Sequence, residues 1–180
     1  MGRVTERYDK YLPYADYNGE NEEELLELLS KQAQLLAEKG VNLTLTASTN
    51  APKIYINNIY SGKITPYHNH EYYEINYVHK GKVAEYVEGH KLVLCAGEAI
   101  LMSPSVKHTS HPIGEETVAV NIIVKCEYDE AAEKMLSAYN PDNYLKLIVK
   151  NSVYAVFRGA SEAGMSEIVD ELARFNQNRW

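Results

Sequence analysis

The sequence predicts a mainly β protein, a sandwich or barrel with one helix ahead of it and helices behind. Three observations predict this. From Val41 onward apolar residues alternate with polar ones, first at Val41, Leu43 and Leu45 and then through a series of short runs. Turn pairs separate these runs at Ser61-Gly62, Lys80-Gly81, Glu88-Gly89 and Ala96-Gly97. No run alternates with a helical segment, which argues against a doubly wound parallel sheet and for a sandwich or barrel.

Taken in order, residues 1–19 carry Tyr8, Tyr11, Tyr14 and Tyr17 at intervals of three, with Pro13 and Asn18-Gly19 among them. This reads as an arm docked on a neighbouring surface, because terminal arms seldom carry chemistry. Asn21 can cap a helix whose first turn, Glu22 to Glu24, sets negative charge at the positive end of the dipole. Leu25, Leu28, Leu29, Gln32, Leu35 and Leu36 then form one packing face, and Lys39-Gly40 supplies the stop. Strands are expected at 53–60, 72–79, 82–88, 90–95, 99–102 and 117–124. Beyond them, residues 129–139 read as a helix stopped by Asn140-Pro141, residues 143–150 fit either helix or strand, and residues 154–158 look extended. A last helix, capped by Ser161 or Ser166, puts Met165, Ile168, Val169, Leu172 and Phe175 on one side, a packing or dimerisation face. The expected division is an arm and helix at 1–40, a barrel at 41–127 and a helical segment at 128–180. The chain reaches Trp180 without a helix-stop residue, as expected of the front part of a longer protein.

A chain of 180 residues suits one domain with additions. Fifteen tyrosines against two phenylalanines favour half-buried, partly wet surfaces that can make polar contacts to a ligand. The net charge of −7, with no run of Lys or Arg, opposes direct binding to a phosphate backbone. Cys95 and Cys126 lack C-x-x-C spacing and are expected to be reduced core residues. Without a signal core or a bilayer-length apolar run, the cytoplasm is the expected location and no membrane partner is expected.

The chemistry concentrates in HNHEYYE, residues 68 to 74, and at His108. Residues two apart on a strand share a face, so His68 and His70 can chelate together, and Tyr72 and Glu74 continue that face. A straight strand would hold the α-carbons of His70 and Glu74 roughly 13 Å apart, so a shared site requires a bend between Glu71 and Tyr73. His108 joins only if the fold lays its strand alongside. His79 and His90 lie near turns and are expected to be solvated, and Glu22 to Glu24 lacks the spacing of an ion site. The chain has no phosphate loop, no G-x-G-x-x-G and no G-x-S-x-G elbow.

The spacing of Gly62, His68, His70, Glu74 and Gly81 resembles the first signature of the cupin superfamily at every fixed position. The second signature is weaker. Gly97, Pro104 and His108 match, whereas Ser103 and Ser105 stand where cupins usually have proline and glycine, and Pro112 where asparagine is often seen. Within that superfamily the chain is most similar to the N-terminal sensing domain of AraC-type transcription regulators. Tyr73, Glu74, Ile75, Tyr77, Val78, Gly81, Tyr86, Gly89, Leu94, Gly97, Glu98, Pro104 and His108 carry the likeness, which extends over roughly residues 50 to 178.

The resemblance implies a double-stranded β-helix, or jelly roll, with His68, His70, Glu74 and His108 as the metal-ligand positions. It implies a small polar metabolite, such as a sugar, as effector, a homodimer, and DNA contact only through helix-turn-helix motifs that these residues lack. Tyr67, His68, His70, Tyr72, Glu74, His108 and His111 are the candidate pocket residues. They could instead serve only as hydrogen-bonding groups without a metal. The alternative function is a stand-alone metal-dependent cupin enzyme, an isomerase or dioxygenase, using three histidines and one glutamate on Zn, Ni, Mn or Fe.

Overall fold

Asn21 starts the first helix in the way its sequence predicts. From an extended backbone its side chain accepts the N–H groups of Glu23 and Glu24 at 3.1 and 3.3 Å, and helix α1 (Glu22–Glu38) follows. Gly40, at φ 63°, takes the left-handed conformation beyond its end. The buried face of α1 comprises Leu25, Leu29, Ser30, Gln32, Ala33 and Leu36. The structure, a computed structural model, describes residues 21–45, 54–60, 66–125, 154–160 and 164–177. The tyrosine arm, the segments at 129–139 and 143–150, and Cys126 lie outside the described residues.

Nearly all of the β structure among the described residues is one curled antiparallel sheet, a half-barrel. Its strands are β2 (Ile54–Tyr60), β4 (Tyr73–Val87), β5 (His90–Cys95), β6 (Ala99–Met102), β7 (His108–Val124) and β8 (Tyr154–Phe157). They lie in the order β2-β7-β4-β6-β8, and β5 pairs with the second half of β4. Two short strands, β1 (Thr44–Leu45) and β3 (Asn69–His70), pair in parallel beside it. Residues 154–158 are extended as expected, because β8 pairs along β6.

Two expectations need correction here. Lys80-Gly81 is not a turn between strands but an irregularity inside the single 15-residue strand β4. Opposite it, the register of β7 jumps from Ile113 to Val118, so both long strands bend together. The bend depends on Gly81, which sits at φ 79° with its α-carbon against Thr117; a Cβ there would meet Thr117 Oγ1 and lie 2.9 Å from Thr117 Cα. Thr117 Oγ1 also accepts the Lys82 N–H at 3.2 Å. The second correction concerns the strand expected at 117–124, which begins nine residues earlier, as β7 starts at His108.

The curl sorts side chains to two faces. Inside, Val78, Val83, Val87, Leu94, Ile100, Met102, Val106 and Ala119 form one apolar cluster. Outside, α1 covers the second half of β4, where Leu25 and Leu29 pack on Ala84 with Tyr86 and Ile113 against them. Ion pairs Lys82–Glu22 and Lys91–Glu27 fasten that helix at its solvent edge. Helix α2 (Met165–Gln177) covers the first half of the sheet, with Val169 packed among Tyr77, Ala99, Val120 and Ile122. The Tyr77 and Ser166 hydroxyls share a hydrogen bond of 2.8 Å. Ile168 points away and is 50% exposed, so the predicted apolar side of α2 is divided between packing and solvent.

Cys95 is exposed, contrary to expectation. Its neighbour Leu94 takes the interior position, so alternation turns Cys95 to the outer face beside its register partner Lys82. His79 and His90 are exposed as expected. No helix among the described residues is long and apolar enough to cross a membrane.

Ser105, where cupins usually have glycine, does adopt the glycine conformation, at φ 72°. A left-handed non-glycine residue costs about 1–2 kcal/mol, partly offset by the extra freedom glycine has when unfolded. Ser105→Gly is therefore expected to stabilise the fold by about 0.5 kcal/mol in urea unfolding. A loss of stability would mean that the serine side chain supports the turn.

Candidate metal centre

The bend required at Glu71–Tyr72 is present, between the end of β3 at His70 and the start of β4 at Tyr73. It places Glu74 Oε2 3.0 Å from His70 Nε2, although the two residues would stand far apart on a straight strand. His108 arrives from β7. Its backbone and that of His68 exchange two hydrogen bonds, of 3.0 and 2.9 Å, in an isolated antiparallel bridge. Glu74 Oε1 then lies 3.3 Å from His108 Nε2. One ligand atom from each of His68, His70, Glu74 and His108 falls within 4.8 Å of every other, and all four residues are buried.

The imidazoles are oriented by their far nitrogens. Nδ1 of His68 is 2.6 Å from the Pro66 carbonyl, that of His70 is 3.0 Å from the Tyr72 carbonyl, and that of His108 is 3.4 Å from the Val106 carbonyl. A carbonyl only accepts, so each Nδ1 carries the proton in the neutral ring and each Nε2 presents a lone pair. The Nε2 atoms of His70 and His108 are near Glu74 yet make no directed hydrogen bond, although both are buried. They converge with the carboxylate on a common point. Orphaned lone pairs, with backbone carbonyls fixing the rings behind them, are what a divalent ion needs. Three imidazoles and one carboxylate suit Zn, Mn, Fe or Ni, with positions left for a ligand. When bound, the ion would act as a Lewis acid.

The electrostatics agree. Burial alone would raise the Glu74 carboxyl, but His108 and His70 beside it hold it well below the usual range. Burial lowers His68 from 6.5 to about 3, with His108 adding to the effect. Burial also opposes charge on His108, but Glu74, and then Glu85, pull it upward. A histidine whose folded value is depressed stays neutral while the unfolded chain takes up a proton. Its contribution is therefore complete above 6.5 and is lost as pH falls from 6.5 toward 3. The raised His108 contributes fully below 6.5, so it cannot reverse that fall. Glu85, whose buried carboxyl is raised to about 7, takes up a proton on folding over the same range and opposes this fall. The effect of His68 is therefore read as a difference: metal-free wild type should lose up to about 1.4 kcal/mol per pH unit below 6.5 relative to His68→Gln. Between pH 6.5 and 4.5, the ordinary value of Glu74, the difference in slope between the two proteins is that of His68. Equal slopes in pH-dependent urea unfolding would contradict the placement of His68.

The remaining candidates divide. Tyr72 is buried and stacks on His70, with ring centroids 4.4 Å apart and planes at 14°. Tyr67 instead faces Tyr86, at 6.0 Å, on the side covered by α1. It lines a solvent-open cleft with His68, Asn69, Leu43 and Lys107, and burial, with Glu88 and Tyr86 nearby, pushes its phenol up to about 12. His111 pairs in register with Ala84, whose side chain packs under α1. Paired residues share a face, so His111 sits beneath the helix and apart from the other three histidines.

Sequence reasoning missed Glu85, which is fully buried on the interior face. Its Oε1 accepts from Asn76 Nδ2 at 3.2 Å, and Asn76 Oδ1 accepts from Asn121 Nδ2 at 2.8 Å. Burial pushes the Glu85 carboxyl up to about 7, with His108, Ser110 and Asn76 opposing. A signal for it was present: Val83 and Val87 stand two residues to either side, on the interior face.

A family model described as the AraC-like ligand binding domain matches residues 51–137. Among solved structures the fold is similar to ToxT from Vibrio cholerae strain SCE256 with unsaturated fatty acid bound. The TM-score is 0.50 at 12% identity, covering 74% of this chain and 50% of that one. The P21 form of Vibrio cholerae ToxT gives 0.48 at 14%, covering 66% and 48%. A cupin 2 conserved barrel protein from Salinispora arenicola gives 0.32 at 17%, covering 48% and 67%. The chain therefore spans about half the length of the ToxT chains it matches. No curated protein matches it in sequence.

Proposed function

We propose that the chain is the effector-binding domain of an AraC-type transcription regulator, a reading supported by the match of residues 51–137 to the model of the AraC-like ligand binding domain. The observation that supports this best is the interior of the curled sheet, where four ligand-type side chains and a second polar row are buried together. An interior built only for stability would be apolar, since buried polar groups are costly unless satisfied. Occupancy by a small molecule would be passed on through α1 or α2, which pack on the outside of the same strands.

In this reading His68, His70, Glu74 and His108 hold one divalent transition ion and Tyr72 lines the pocket with them. The effector is a small polar metabolite, for which a sugar is one candidate. Barrel, arm and C-terminal segment divide near residues 40 and 127. The protein works in the cytoplasm as a homodimer, with Ile168 on its exposed apolar face. DNA is contacted through helix-turn-helix motifs outside these 180 residues, in keeping with the net charge of −7.

The histidine and glutamate geometry also favours a second reading, a metal-dependent cupin enzyme of isomerase or dioxygenase type. Reading the coding sequence past codon 180 separates the two. Two helix-turn-helix motifs are expected there, and a stop codon would contradict the regulator.

A further inference from the structure

Glu85 and Asn76 are nine residues apart on one strand, a separation of roughly 30 Å if β4 were straight. The bend at Gly81 folds the strand over so that their side chains hydrogen-bond at 3.2 Å, and Asn121 of β7 continues the row. The row begins one interior position from the metal set, since Glu74 and Asn76 are two apart on β4.

The chemistry of Glu85 fixes the polarity of the whole row. Above its raised value of about 7 Glu85 is a carboxylate, which only accepts, so Asn76 turns its NH₂ toward Glu85 and its oxygen toward Asn121. Asn121 must then donate, which leaves its own oxygen at the end. The two ends are Glu85 Oε2 and Asn121 Oδ1, both buried acceptors without a hydrogen-bond partner among the described residues. Glu85 is 0% and Asn121 7% exposed, so solvent does not satisfy them. No lysine or arginine is buried among the described residues to receive an anion there. Unmatched buried acceptors are costly to the fold and select for donors.

We infer that Glu85, Asn76 and Asn121 form the recognition row of the effector pocket, and that the row takes a head group rich in hydrogen-bond donors, hydroxyl or ammonium, and rejects an anionic one. This rests on the effector-binding reading and adds to it the residues and chemistry that discriminate. A carboxylate end would set lone pairs and charge against Glu85 Oε2, whereas a hydroxyl or ammonium supplies the missing donors.

Two matched series test this on the whole chain: glucitol, glucamine and gluconate, and hexanol, hexylamine and hexanoate. Binding is followed about 1.5 pH units above the raised value of Glu85, where it is ionised, by calorimetry and thermal shift up to about 10 mM, enough to register millimolar affinities. In at least one series the neutral or ammonium member should bind wild type at least tenfold more tightly than the acid. Glu85→Gln keeps the acceptor that Asn76 uses and turns Oε2 into a donor, so the ratio should fall at least tenfold. Asn121→Val, which removes the other acceptor without adding a donor, should weaken the neutral and ammonium members and leave the acid unchanged. A bound metal affects wild type and variants alike and cancels from the comparison between them, and the series are measured after chelation so that it does not favour the acid within one protein. If an acid binds wild type and Glu85→Gln equally well, the domain binds small molecules but the row does not select them; this proposal fails and the effector reading holds. If none of the six shifts wild type, both fail.

Discussion

Replacing Gly81 with alanine is expected to remove about 3 kcal/mol of stability, among the largest losses available from a single methyl group in this fold. Two costs add. At φ 79° any L side chain pays about 1–2 kcal/mol for the left-handed backbone. The new Cβ would also lie 2.9 Å from Thr117 Cα, and backbone on the partner strand cannot rotate away as a side chain can. Relief requires β4 and β7 to part, at a typical overpacking cost of about 1–3 kcal/mol. Gly114 is the internal control, with the same φ of 79° and nothing within 4 Å of its virtual Cβ. Gly114→Ala should cost only the backbone part, about 1 kcal/mol. Equal losses for the two in urea unfolding would show that the close approach to Thr117 is unimportant. Because the same bend joins Asn76 to Glu85, Gly81→Ala should also disturb ligand binding.

The second large effect is metal-linked. A divalent ion present at about a thousand times its dissociation constant stabilises the folded state by about 4 kcal/mol. For a chain of this size that is roughly 10 °C in Tm. Added Zn²⁺, Ni²⁺ or Mn²⁺ should produce such a rise in wild type and not in Glu74→Gln. The substitution keeps the shape of the side chain but removes the only carboxylate among the four donors. Because His108 and His70 hold the Glu74 carboxyl well below its usual range, Glu74→Gln is expected to be less stable without metal, and the metal response of each protein is read against its own metal-free Tm. A variant that still responds fully to metal would place the ion elsewhere.

How far the sequence could be read depended on how local each signal was. Asn21 and the leucine spacing of α1 are local, and helix and cap agree with expectation. Alternation located most strands and the Glu88-Gly89 hairpin, where both residues have positive φ. The grouping of His68, His70 and Glu74 was legible because they are close in sequence and fit a known spacing. The misreadings involve longer range. Gly81 looks like a turn glycine, and only its contact with Thr117 shows that it lets one strand bend through. His111 and Cys95 were misjudged for a common reason: which face a residue takes depends on register with a partner strand. Glu85 carried a local signal in its two flanking valines, but its meaning came from Asn121, on another strand and far along the chain.

The metal content of protein prepared without a histidine tag tests the centre of this account most directly. About one transition ion per chain is predicted in wild type and none in Glu74→Gln. Wild-type protein that is clean of metal and gains no thermal stability from Zn²⁺, Ni²⁺ or Mn²⁺ would contradict it.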